Sequence, residues 1–406
     1  MTDAVQRRTL LRELHPHQHH RVTYVELFYD LVFVFAITQI SHTLLAHFSL
    51  LGAVQVAILM LAVWWVWVFM SWVTNWLDPE RTPVRLMLFG MMLAGLVLST
   101  SIPKAFGDRG LAFSLAFVTM QVGRSVFFIF AVPKSETGHR RNFQRIAIWL
   151  SVSGVFWIAG GLCEPATRLW LWVIALAIEY SGPAMRFRTP GLGASSMQDW
   201  TVEGGHMAER CALFIIIALG ESIVVTGATF SEAAWSGPTA AAFVTALLGS
   251  IAMWWIYFHI GAEAGSHRIS HADETGRMAR LAYTYLHLLI VAGIVVCAVG
   301  DEMLLAHPAG HVGAKEMLSM IGGPLLYLVG VILFKRTIRG HLQLSHLVGI
   351  GLLMVLIPFG AMMSPLWLSG TTTAILMLVA AWEAVSLGSS NTPVTASESH
   401  ADATSA

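Results

Sequence analysis

The sequence predicts an all-α membrane protein of about twelve transmembrane helices, arranged as two six-helix parallel repeats. Three observations predict it: a shortage of charge, a series of long apolar stretches, and a one-sided distribution of Lys and Arg. The chain is 56% hydrophobic and 12% charged over 406 residues, against about 25% charged in a soluble domain. So few charges cannot coat a water-soluble surface of this size, so the lipid bilayer must cover much of it. Fifteen Trp and 21 Phe suit aromatic belts and apolar packing. The formal net charge is zero, which leaves no basic footprint for nucleic acid.

A helix needs about 20 apolar residues to cross the hydrocarbon core. Stretches that qualify lie at approximately 25–47, 52–76, 83–104, 110–132, 144–162, 166–187, 206–228, 237–260, 279–300, 318–336, 343–361 and 366–387. They are too long for barrel strands, and an open sheet would leave backbone groups unsatisfied in lipid. Lys and Arg then set the direction. With the N-terminus in the cytosol, 19 of the 24 fall in cytosolic segments, 4 fall opposite, and Arg124 alone lies within a span. That split predicts an even number of spans and two cytosolic termini. Residues 1–23 read as a basic, His-rich cytosolic tail with an uncleaved start. Its His15-Pro-His17-Gln-His19-His20 run reads as solvated rather than metal-binding. Residues 189–205 read as a cytosolic linker, and 389–406 as a tail too polar to fold. Cys163, Cys211 and Cys297 lack metal-ligand spacing and read as small packing residues.

The halves 24–188 and 206–388 echo each other. Ala62-Val-Trp-Trp-Val-Trp resembles Ala252-Met-Trp-Trp-Ile-Tyr, and Arg85-Leu86 resembles Arg280-Leu281. Pro165 and Pro365 each open a span that later carries one acid, Glu179 or Glu383. The offsets rise in order through 190, 195, 200 and 204. Six spans per repeat place the relating axis along the membrane normal, with a site expected between the halves.

Ionisable residues inside a bilayer cost at least about 2.5–3.5 kcal/mol and mark pathways or partners. At 100° per residue, Glu26, Asp30, Thr38, Ser41 and His42 share one half of the first span. In the seventh, His206, Glu209, Arg210 and Glu221 fall within about 120°. Asp30, Arg124 and Glu179 sit at similar depth, about 9–12 Å from the cytosolic boundary. Arg124 is therefore expected to pair with Asp30, Glu179 or both; the alternative is that these charges only lock helix packing. Glu221 lies deeper, beside Gly220, and reads as a proton or cation site or as a protonated acid bonded to a carbonyl. His206 and Glu209 read as capping and ion-pairing residues rather than metal ligands. The cluster Trp64, Trp65, Trp67, Trp72 and Trp76 reads as packing, with an aromatic cage for a cation as the alternative. No phosphate-cradling loop, nucleophile elbow or zinc-protease helix is present. No cofactor is implied, and no loop is long enough for a nucleotide domain.

Tyr24-Val-Glu-Leu-Phe-Tyr-Asp30-Leu-Val-Phe-Val-Phe-Ala-Ile-Thr-Gln-Ile-Ser-His42 resembles the opening signature of the bacterial low temperature requirement A (LtrA) family. His206-Met-Ala-Glu-Arg-Cys-Ala-Leu-Phe-Ile-Ile-Ile-Ala-Leu-Gly-Glu221-Ser resembles its second signature. The resemblance implies a multi-pass protein of the bacterial cytoplasmic (inner) membrane, in a family named for a cold-growth phenotype and hence for stress adaptation. It supplies no substrate. Phe28-Tyr-Asp30-Leu-Val-Phe-Val-Phe-Ala-Ile-Thr38 is also similar to the first-helix signature of six-span-repeat endolysosomal potassium channels. The Ser usual between Phe28 and Asp30 is replaced by Tyr29, and Leu213 stands near the comparable place of the second repeat. Taken together, the residues lead to an expectation of transport of a cation, proton or small solute through the bundle. An intramembrane enzyme, a lipid-handling protein and a stress-adaptation protein without transport remain as alternatives, and a homo-oligomer is open.

Overall fold

The computed structural model describes residues 9–12, 21–196, 200, 203–259 and 280–388. The His15–His20 run and the 389–406 tail lie outside the described residues. Twelve helical rods form among the described residues, one for each stretch expected. They are α1 (Tyr24–Ala46), α2 (Leu50–Trp76), α3 (Thr82–Ser101), α4 (Gly110–Ala131), α5 (Thr137–Leu162) and α6 (Pro165–Ala184). The second set is α7 (Gly204–Glu232), α8 (Gly237–Phe258), α9 (His287–Ala306), α10 (Gly322–Arg339), α11 (Leu344–Gly360) and α12 (Pro365–Gly388). Ten are long and apolar enough to cross a membrane. The other two are α11, apolar but shorter, and α6, which carries Arg168 and Glu179.

Local chemistry sets the ends. Thr23 opens α1, and its backbone N–H and hydroxyl both donate to Glu26 at 2.9 Å, an arrangement that satisfies orphan donors of the first turn. Ser49 accepts from the N–H of Gly52 at the start of α2. Pro occupies the first turn of α3, α6 and α8, where its missing N–H costs nothing. α5 starts at Thr137, about two turns before the apolar stretch, because its first turns carry Arg140, Arg141 and Asn142 outside the apolar run. Two π-turns interrupt the rods: Thr119–Gly123 directly before Arg124, and Arg280–Leu286 before α9. Periodicity alone gives no sign of either.

Packing follows the same order in both halves. α1 packs on α2 and α3, as α7 does on α8 and α9. The pairs α3–α4, α4–α5, α5–α6 and α2–α6 recur as α9–α10, α10–α11, α11–α12 and α8–α12. The halves meet where α1 and α2 pack on α7 and α9. α2 is enclosed on nearly every side: Trp64, Trp65, Trp67, Val66 and Val68 are all buried. α9 and α10 cross closely at Gly293, where an added Cβ would meet the backbone N of Tyr327 at 2.6 Å.

One expectation needs correction. The charge pattern placed every Lys and Arg but Arg124 in water, yet Arg145, Arg168, Arg210 and Lys335 are also buried. Arg168 shows how such burial is tolerated. Its guanidinium donates to the carbonyls of Gly160, Ala105, Gly107 and Cys163. These carbonyls lie at or near helix C-termini, where the backbone needs donors and favours a cation. Arg145 likewise donates twice to Leu192 O.

Candidate functional site between the halves

The densest charge cluster lies where α1, α2 and α7 meet, and it is held by residues of both halves. Glu26 and Asp30 are one turn apart on α1, and His206 and Arg210 are one turn apart on α7, so each helix presents both groups on one face. Glu26 Oε1 accepts from Arg210 Nη1 at 3.0 Å and lies 2.9 Å from His206 Nε2. Asp30 Oδ1 accepts from Arg210 Nη2 at 2.6 Å and from the indole N–H of Trp67 at 2.8 Å. Arg210 Nη1 also donates to Thr74 Oγ1, and its guanidinium lies 5.8 Å from the Trp67 ring centroid. All four of Glu26, Asp30, His206 and Arg210 are at most 1% exposed. In such surroundings a bare charge costs several kcal/mol, so close pairing is a condition of folding here.

Arg12 closes the outer end. Residues 10–12 run antiparallel to the end of α2: Arg12 N donates to Trp76 O, and Asp78 N donates to Leu10 O. The Arg12 side chain then reaches Glu26 Oε2 at 3.1 Å. Asn75 fixes His206 from the other side, with Nδ2 3.3 Å from the ring Nδ1 and 2.9 Å from Glu203 O. Glu209 is exposed and accepts from Val22 N, tying down the approach to α1. His42 is exposed and faces away from this cluster. Among the described residues, no group of three or more His, Cys, Asp or Glu is arranged to hold a metal ion.

Arg124 does not form the ion pair with Asp30 or Glu179 that its depth led us to expect. Its guanidinium donates to Val66 O at 3.5 Å and lies 5.1 Å from the Phe69 ring centroid. It forms no ion pair among the described residues, and Nε and Nη2 have no hydrogen-bond partner. Asp30 takes Arg210 instead. Glu179 takes neutral donors: Gln121 at 2.9 Å, Ser153 at 2.7 Å and Trp157 at 3.0 Å. In the second half Glu383 binds Lys335 through both oxygens, at 2.8 and 2.9 Å, with His346 3.4 Å away.

Further along the α1–α7 seam the character changes twice. First comes an apolar layer with Phe33, Trp64 and Phe214, all buried. The Phe214 ring packs against Trp67 and Trp64 at 4.2 and 5.7 Å between centroids. Beyond it a small cavity opens between α1, α7 and α9, lined by Ile37, Thr38, Ser41, Glu221, Ser222 and Val295 among others. The buried Ser41 and Ser222 hydroxyls have no partner there. The tryptophans thus do more than pack, since Trp67 and Trp64 form hydrogen bonds to Asp30 and to Thr284 O. Arg12, Thr74 and Asn75 are site residues that sequence reasoning missed, and Trp67, read there as packing or as part of an aromatic cage, holds Asp30.

The chain matches the family model of the bacterial low temperature requirement A protein (LtrA) over residues 21–381. It is 41% identical over 371 residues to the Rhizobium meliloti (strain 1021) protein RA0937, a match covering 90% of each chain. No solved structure matches it. The chain belongs to the LtrA family and is a multi-pass helical membrane protein.

Proposed function

We propose that this LtrA-family protein moves a small cation or proton across the bacterial cytoplasmic membrane along the α1–α7 seam. The observation that carries the reading is the Glu26–Arg210–Asp30 network spanning both halves, separated from the Glu221 cavity by a single aromatic layer. A buried charge network and a small, mostly apolar cavity that holds Glu221, Ser41 and Ser222, divided by an aromatic constriction, suit a closed pathway. Asp30 Oδ2 has no partner, so one carboxylate oxygen remains for a passing cation to take. Arg210 Nη2 holds the other oxygen, and a cation at Asp30 would compete with it.

The two-repeat architecture supports the same reading. Glu26 meets His206 and Asp30 meets Arg210, and both pairs are separated by 180 residues in sequence. Equal offsets mean that α1 and α7 run parallel. The value also extends, at the start of the chain, the rising series of 190 to 204 found between the halves. We read 24–188 and 206–388 as repeats whose first helices face each other across an axis along the membrane normal. The Arg-rich ends, with both termini, would lie in the cytosol.

An intramembrane enzyme or lipid-handling protein would need its acids in a cleft facing lipid. Glu26, Asp30, Glu179 and Glu383 are each at most 3% exposed, which disfavours it. The test is flux in proteoliposomes of purified protein, across a panel of K⁺, Na⁺ and H⁺ gradients. Asp30→Asn and Glu221→Gln are expected to abolish flux while folded protein is still recovered. Unchanged flux in both, or none from the unaltered protein with any ion, overturns the reading.

A further inference from the structure

A second cavity, more polar than the one at Glu221, lies wholly within the second half, between α8, α9, α10 and α12 and the short helix Ala314–Met320. Asp301 opens into it, late in α9. The surrounding wall carries the hydroxyls of Ser319, Ser369, Thr372 and Thr373. The carboxylate is half-buried and forms no hydrogen bond or ion pair among the described residues.

Among the described residues, Asp301 shares this lack of a partner with Glu221 and differs from the fully buried acids. Glu26 and Asp30 share Arg210, Glu179 has three neutral donors, and Glu383 has Lys335. An uncompensated carboxylate in such a place is costly unless something neutralises it.

The hydroxyls around Asp301 are set as acceptors. Ser319 Oγ donates back to Lys315 O at 2.9 Å, and Thr372 Oγ1 donates to Ser369 O at 2.9 Å. With their protons committed to helix carbonyls, their lone pairs are free for the cavity. The Ser369 and Thr373 hydroxyls form no hydrogen bond among the described residues. Gly300 lets the short helix come close enough to bring Ser319 opposite Asp301: an added Cβ would meet Met320 N at 3.4 Å. One negative charge amid neutral oxygen donors suits a hard cation bearing a single charge. A divalent ion draws its affinity from several carboxylates or from retained waters.

We propose that Asp301, with Ser319, Ser369, Thr372 and Thr373, forms a binding site for one monovalent alkali-metal cation in the second half of the bundle. The site does not touch the α1–α7 seam, and its test reads binding rather than flux, so a failed flux assay leaves it standing.

The test is thermal unfolding of the purified full chain in detergent at constant ionic strength, with choline chloride replaced stepwise by NaCl or by KCl. The midpoint is expected to rise saturably with one of the two, and which one identifies the ion. Radiolabelled ion of that kind should bind at one per chain. Asp301→Asn is expected to weaken binding at least about tenfold, and Thr372→Val a few-fold, with Thr372→Ser retaining it. A flat response of the unaltered chain to both salts overturns the site, as does an equal rise in folded Asp301→Asn. A midpoint that rises only on acidification assigns a proton to Asp301 and also overturns the cation. If Asp301→Asn fails to fold, the Thr372→Val and Thr372→Ser pair decides: equal affinity in the two overturns the site.

Discussion

Arg210 and Arg124 are both fully buried arginines in helices of one bundle, and they are satisfied in opposite ways. Arg210 has two carboxylates, the Thr74 hydroxyl and a Trp67 ring around it. Arg124 has one carbonyl at 3.5 Å and a Phe69 ring. The difference shows what the site between the halves requires. Taking a guanidinium out of water costs several kcal/mol, and close carboxylates with good geometry offset it. At Arg210 the acids come from the other half, so folding of that centre and docking of the halves are one event. At Arg124 nothing comparable is on hand, and the residue sits directly after the π-turn Thr119–Gly123. Such turns often mark functional positions.

The sharpest way to break this comparison is to remove Arg210. Arg210→Met leaves Asp30 with only the Trp67 N–H and leaves Glu26 with Arg12, His206 and its Thr23 cap. An orphaned charge of this kind costs about 3–5 kcal/mol. Denaturant unfolding of the purified protein in detergent should show a loss of that size. Adding Asp30→Asn to Arg210→Met should return part of it, because the stranded charge is then gone. A single variant within about 1 kcal/mol of the unaltered protein would mean that the network contributes little to the joint between the halves.

Lys335 and Glu383 form the intermediate case, with one bidentate pair inside a single half. Glu383→Ala strands a buried ammonium that still has Ile256 O at 2.7 Å, and a loss of about 3 kcal/mol is expected. The double variant Lys335→Met with Glu383→Leu removes both charges, and should recover most of that loss. Unfolding of the two singles and the double gives a coupling energy, expected at about 1–3 kcal/mol. A coupling near zero would show that the two groups are stabilised separately.

How much of this was readable beforehand depends on which physical quantity the sequence encodes. Twelve rods, their order and most of their ends follow from apolar length and from Thr23, Ser49 and the first-turn prolines. The candidate residues Glu26, Asp30, His206 and Arg210 were marked by sharing helix faces. Their partnership was not, because Lys and Arg counting assigns a residue to water by its distance from a loop. Arg210 lies six residues into α7, and Asp30 lies six into α1. Counted from those helix starts, the two are at equal depth in parallel helices. Arg124 reaches a similar depth from an antiparallel helix, so depth alone could not choose between them. Arg12 carries no periodic signal, since it acts from residues 9–12 ahead of the first helix. Asn75 and Thr74 stood among tryptophans that read as packing. Asp301 fell just past the predicted end of its span at 300, so it was not counted as a membrane acid at all.

Arg124→Met should have the smallest effect on stability, and its direction tells more than its size. The substitution removes a buried charge with two unpartnered nitrogens and keeps a long apolar side chain against Phe69. It strands no acid, because Glu179 is held by Gln121, Ser153 and Trp157. Replacing buried charge by well-packed apolar atoms is often neutral or stabilising. The expected change in unfolding free energy is therefore within about 1 kcal/mol of zero, or positive. Set beside Arg210→Met, the same replacement would give a large loss in one helix and none in another. A loss of about 3 kcal/mol or more at Arg124 would break the comparison, since it would mean that the open edge of this guanidinium is occupied in the folded protein. If instead stability holds while flux falls, Arg124 serves transport and not the fold, and the contrast between the two arginines becomes one between a structural and a working charge.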